Sequence, residues 1–109
     1  MSIKNTEIYE LVKERLEKQF EVPDHIRDKL WNEIGYDSSG IILYERRPHF
    51  QNPDIITKSP IFKLKYHSKT KYWSVFWMPS DMKWHKLIEY KKIDSAIKYI
   101  NMHKEYFWG

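Results

Sequence analysis

At 109 residues, with 41% hydrophobic and 17% aromatic side chains, the chain is sized for one domain with a real core, and its composition excludes intrinsic disorder. Three glycines and five prolines exclude a collagen-like chain, and the lack of cysteine excludes disulfides, thiol nucleophiles and thiolate-held zinc. The formal net charge of +4 is unevenly spread. Residues 1–39 carry six Lys/Arg against nine Asp/Glu, residues 40–92 carry eleven against four, and residues 93–109 balance. A basic central segment attracts phosphates or acidic partners. Part of that basicity is compositional, because lysine outnumbers arginine fifteen to four and alanine appears once, as AT-rich coding produces. No apolar run reaches the roughly 18 residues that span a bilayer, and the first residues lack a signal-peptide hydrophobic stretch. A cytoplasmic protein with no membrane partner is the expectation.

The periodicity predicts a first helix through Ile8, Leu11, Val12, Leu16 and Phe20, which recur at three- and four-residue steps. Asn5 or Thr6 is suited to cap it, and Pro23 to close it. A second helix is predicted from Asp24, with Ile26, Leu30 and Ile34 repeating every four residues, Trp31 beside them and Gly35 as its C-terminal cap. From Tyr36 the period becomes two. Asp37-Ser38-Ser39-Gly40 reads as a turn, and strands are predicted over 41–47, 61–67, 72–78 and 83–90, joined by loops short enough for hairpins. Asp94-Ser95 opens a last helix with Ala96, Ile97, Ile100 and Met102 inward, and the aromatic tail Tyr106-Phe107-Trp108 is expected to fold back onto the core. The expected fold is a single α+β domain over 1–109: a helical pair (1–35), a four-stranded antiparallel meander sheet (36–92), then a C-terminal helix and tail (93–109) on one sheet face.

Alternation assigns the two faces. Ile41, Leu43, Phe62, Leu64, Trp73, Val75, Trp77, Trp84 and Ile88 fall on the helix-covered side, where large aromatics at strand spacing are core. The other side collects Tyr44, Arg46, Lys63, Lys65, Tyr72, Phe76, Lys83 and His85. Aromatic planes among cations on an open sheet can stack bases and neutralise phosphates. The plainer account is that lysines keep the face wet while the tail covers Tyr72 and Phe76.

No glycine-rich phosphate loop, metal-binding helix or nucleophile elbow is present, and the histidines lie on different elements, so no metal or cofactor is expected. Asp81-Met82-Lys83 matches half of a metal-dependent nuclease pattern, in which a carboxylate holds magnesium and the lysine helps activate water. Glu45 is the only strand carboxylate available to complete it.

Five ordered segments carry a resemblance: Tyr44-Glu45-Arg46-Arg47-Pro48-His49-Phe50, Ser59-Pro60-Ile61-Phe62-Lys63-Leu64, Trp73 to Trp77, Lys83-Trp84-His85, and Phe107-Trp108-Gly109. Over about residues 36–109 the chain resembles the small bacterial domain-of-unknown-function family numbered three thousand and twenty-four. The resemblance brings no activity with it. It implies that Arg46, Arg47, Lys83, Trp84 and His85 form a shared constellation, structural or functional. The leading expectation is a non-catalytic module that contacts nucleic acid or another polyanion through Tyr44, Arg46, Arg47, Lys63, Lys65, Tyr72, Phe76, Lys83 and His85. The alternatives are a protein-interaction module (an inhibitor or adaptor, with an acidic protein as partner) and, third, a magnesium-dependent nuclease.

Overall fold

The computed structural model describes residues 5–22, 25 and 29–108. Along the chain run α1 (Asn5–Gln19), β1 (Trp31–Asp37), β2 (Gly40–Pro48), β3 (Ile56–His67), β4 (Tyr72–Trp77), β5 (His85–Tyr90), α2 (Ile93–Met102) and α3 (Lys104–Trp108). The five strands pair antiparallel in chain order, so the fold is α+β with a five-stranded meander. The fourfold apolar repeat that suggested a second helix belongs in part to a strand. Trp31 pairs with Arg46 and Ile34 with Leu43, which places Ile34 in the core and makes Gly35 a mid-strand residue opposite Ile42, not a helix cap. A short apolar run satisfies either period, and here the unpaired edge of β2 decided it by offering β1 a hydrogen-bonded ladder. Pro23, Asp24 and Ile26, the start of the expected helix, lie outside the described residues.

One sheet face is covered. Ile34, Ile41, Leu43, Phe62, Leu64, Trp73 and Val75 are buried there against Tyr9, Val12 and Leu16 of α1, Phe20 just past its end, and Ala96, Ile97 and Ile100 of α2. The inward stripe of α1 therefore runs 9-12-16 and continues to Phe20. Leu11, expected inside, is 72% exposed, and Tyr9 is buried in its stead. Tyr9 suits the position because its ring meets Trp73 edge-on at 5.9 Å while its hydroxyl accepts a hydrogen bond from the Tyr66 N–H at 2.9 Å. Met102, also expected inside, is 70% exposed at the end of α2. The aromatic tail forms α3 and folds back on this same face: Phe107 and Trp108 each pack on Phe62 with centroids 6.1 Å apart, and Tyr106 lies 4.5 Å from Trp77. Covering Tyr72 and Phe76 is thus not its role.

Two irregularities set which side chains face out. Between β2 and β3 the register shifts after Leu43, leaving Ile61 as the extra residue on β3. Between β4 and β5 it shifts after Val75, leaving Leu87 extra on β5. Each bulge resets the odd-even alternation of its strand. At the β1–β2 turn the Asp37 carboxylate accepts hydrogen bonds from the Ser39 N–H at 2.7 Å and its hydroxyl at 2.5 Å. Gly40 then takes φ +146°, and a Cβ there would stand 2.8 Å from the Leu64 carbonyl oxygen and 2.9 Å from the Lys63 Cε. Only glycine fits, and the Lys63 stem lies across it.

Candidate binding face of the sheet

The open face follows from the register. Ile42, Lys63, Phe76 and Lys86 form one cross-strand row, Lys65, Ser74 and Glu89 the next, and His67 with Tyr72 the last before the β3–β4 turn. Lys63 is half-buried: its stem packs on Gly40, and its ammonium lies 5.6 Å from the Phe76 ring centre and 6.0 Å from that of Trp84. Burial first, and then the neighbouring Lys65 charge, lower the Lys63 pKa, while Asp37 opposes them. A cation held between aromatic faces is partly compensated by their quadrupoles. Ser74 is wholly buried although it faces outward. Its hydroxyl meets the His67 Nε2 at 2.8 Å and donates to the Glu89 carboxylate at 3.4 Å, and Glu89 is also paired with Lys86. Among the described residues no carboxylate forms an ion pair with Lys63 or Lys65.

At the other end of the same face two cations share one carboxylate. Glu33, on β1, receives Arg46 at 3.2 Å and Lys58 at 3.1 Å, and Lys58 also lies 4.2 Å above the Tyr44 ring. The Lys58 hydrogen bond, ahead of the charges of Lys58 and Arg46, holds the Glu33 carboxyl below the usual carboxylate range. Tyr44 and Arg46 thus face out as expected, but they belong to an ion cluster. Arg47, one residue on, faces the opposite side and pairs with Glu45.

The expected outward positions of Lys83 and His85 and the inward one of Trp84 need correction. The extra residue at Leu87 puts Lys86, not His85, opposite Phe76 on the open face, and turns His85 toward Trp77 on the helix side. Trp84 stands instead near Lys63 on the open face. Lys83 is exposed in the loop before β5. That loop is organised by Asp81, whose carboxylate accepts from the Lys83 N–H at 3.0 Å and lies 2.7 Å from the His85 Nε2. The His85 hydrogen bond lowers the Asp81 pKa. Glu45 is three strands away from β5, roughly 14 Å at ordinary strand spacing, and is paired with Arg47. Among the described residues no group of three or more His, Asp or Glu converges as metal ligands would. The structure thus brings Lys63, Lys65, Tyr72 and Phe76 onto one open surface, ties Tyr44 and Arg46 into the Glu33 cluster, and sets Arg47, Lys83 and His85 elsewhere.

Sequence reasoning missed Glu33, Lys58, Trp84 and Lys86 as members of this face. One signal was present: residues 55–80 contain five lysines and no carboxylate. That stretch is β3, β4 and the turn between them.

The family model described as Domain of unknown function (DUF3024) matches residues 3–109. The chain belongs to this family. The match takes in the N-terminal helix and β1 as well as the segments that carried the resemblance, so the family unit includes the whole meander and the helices on its back. No curated protein and no solved structure matches the chain. Among the described residues no helix is long and apolar enough to cross a membrane.

Proposed function

We propose that the protein is a non-catalytic module that binds nucleic acid or another polyanion on the open face of its sheet, with Lys63, Lys65, Tyr72 and Phe76 at the centre of the site. One observation carries the reading. The acid-free β3–β4 hairpin presents Lys63 and Lys65 without carboxylate partners among the described residues, beside Phe76 and Trp84, on a face that neither helices nor tail cover. Lysines neutralise phosphates, and the adjacent rings offer π-faces to bases. Arg46 and Lys58 contribute less, because they share the Glu33 carboxylate. The test is fluorescence polarisation of labelled oligothymidylate and of heparin against the protein at several salt concentrations. Log affinity should fall linearly with log salt, and the Lys63→Glu/Lys65→Glu double variant should lose binding by more than about tenfold and reduce the single-strand salt slope by about 1.4. No binding at low salt, or binding indifferent to the double variant, removes the proposal.

A second reading rests on the arm formed by the ends of β2 and β3. Phe50 is 86% exposed at its tip, stacked on His49, and Ile55 and Ile56 are exposed beside it. Apolar side chains offered this way suit a protein partner. Capture of one defined protein that survives nuclease treatment and is lost with Phe50→Ala supports this reading over the first.

A further inference from the structure

The register that builds the open face also builds its end. Tyr90 pairs with Trp73, so Lys91 and Lys92 leave β5 alongside Tyr72 and Lys71, where β4 begins. On the other side of β4 the turn from β3 carries Lys69 and Lys71, immediately beyond the His67–Tyr72 pair. One end of the sheet therefore gathers Lys69, Lys71, Lys91 and Lys92, all exposed. None of the four has a carboxylate partner among the described residues. The nearest acids along the chain are engaged elsewhere, Glu89 with Lys86 and Ser74, and Asp94 with Arg15 of α1. Four exposed ammonium groups at one end of the sheet concentrate positive potential there. Lys71 also carries backbone strain. It holds φ +62°, a left-handed conformation that glycine or asparagine adopts more readily.

The end cluster is continuous with the face. A shallow depression lined by Lys65, His67, Ser68, Lys69, Thr70 and Glu89 joins them. From Lys63 to His67 the strand advances about 13 Å, and Lys69, Lys71, Lys91 and Lys92 lie beyond the last paired rows of the sheet.

We infer that the binding site runs from Lys63 and Lys65 over this corner to Lys69, Lys71, Lys91 and Lys92, and that its ligand is a single-stranded nucleic acid. This rests on the polyanion reading above and narrows it. A track that leaves the last paired rows and continues over two loops suits a flexible single strand better than a duplex, which is stiff over about 50 nm. Tyr72, exposed at the corner between the two lysine groups, provides a ring on which a base can stack as the strand turns.

The experiment measures binding of oligothymidylates of about four and about twelve nucleotides, and of a duplex of the longer length, to the full chain. The variants are Lys91→Glu/Lys92→Glu, Lys69→Glu/Lys71→Glu and Lys63→Glu/Lys65→Glu, each checked for native circular dichroism. The turn pair guards against a Lys91/Lys92 variant that disturbs the start of α2. The longer single strand should bind about tenfold or more tighter than both the short one and the duplex. Either end variant should erase that advantage, weakening the long strand much more than the short one. The face variant should weaken both single strands. If the short strand binds as tightly as the long one, if the duplex binds as well as the single strand, or if both end variants bind normally while the face variant fails, the extended track is wrong and the polyanion face stands. If no oligonucleotide binds but heparin does, the single-strand inference falls and the polyanion face stands; if neither binds, both fall.

Discussion

The two faces of this sheet are built from the same strands, yet they are held by different forces. On the covered face Phe62 is fully buried and touches Phe20, Phe107 and Trp108, so contacts from the residue just past the first helix and from the tail converge on one ring of the middle strand. On the open face the neighbouring residue, Lys63, is held by packing over Gly40 and by the rings of Phe76 and Trp84. The first arrangement is cohesive and insensitive to salt. The second leaves positive charge beside aromatic planes on an open surface, as the proposed polyanion site requires. Under that proposal adjacent residues of one strand divide stability from recognition, and each role can be broken on its own.

Phe62→Ala should have the largest effect, a loss of about 3–5 kcal/mol in denaturant unfolding, because it empties the centre of the core. The Lys63→Glu/Lys65→Glu pair should do the reverse, weakening oligonucleotide binding by more than about tenfold in polarisation assays while shifting stability by less than about 1 kcal/mol. Equal losses of stability in both variants would erase the distinction between the faces. Gly40→Ala should fall between them, destabilising by about 1–2 kcal/mol through its positive φ and displacing the Lys63 stem, visible as changed NMR shifts at Phe76.

Glu33→Gln sharpens the contrast within the open face. Releasing Arg46 and Lys58 should raise polyanion affinity, with a stability cost inside about 1 kcal/mol for so exposed a cluster. Glu33 has a folded-state pKa below its unfolded value, so its stabilisation is present above the ordinary carboxylate range and is lost as pH falls through the depressed value. Urea titrations from neutral to acid pH should show that component in the wild type and not in Glu33→Gln. Asp81→Ala should have the smallest effect: the residue orders an exposed loop, and binding of an oligonucleotide should be unchanged within error.

Much of the covered face was legible because strong periods admit one solution. Phe62, Leu64, Trp73 and Val75 alternate with polar residues over two strands joined by a short turn, and any register that buries one buries all. The segment around Trp31 and Ile34 was not legible in the same way, since its apolar spacing suits a helix as well as a strand. That ambiguity hid Glu33, whose place on β1 decides what Arg46 does. The bulges at Ile61 and Leu87 left no local mark either, and the second one exchanged the sides of His85 and Lys86.

The amino-acid order by itself determined the antiparallel hairpins, the aromatic core and a basic middle segment, because those depend on local alternation and composition. Which cations remain free was decided only in three dimensions. Ion pairs join residues on different strands, and a single extra residue in a ladder turns every side chain beyond it to the other face.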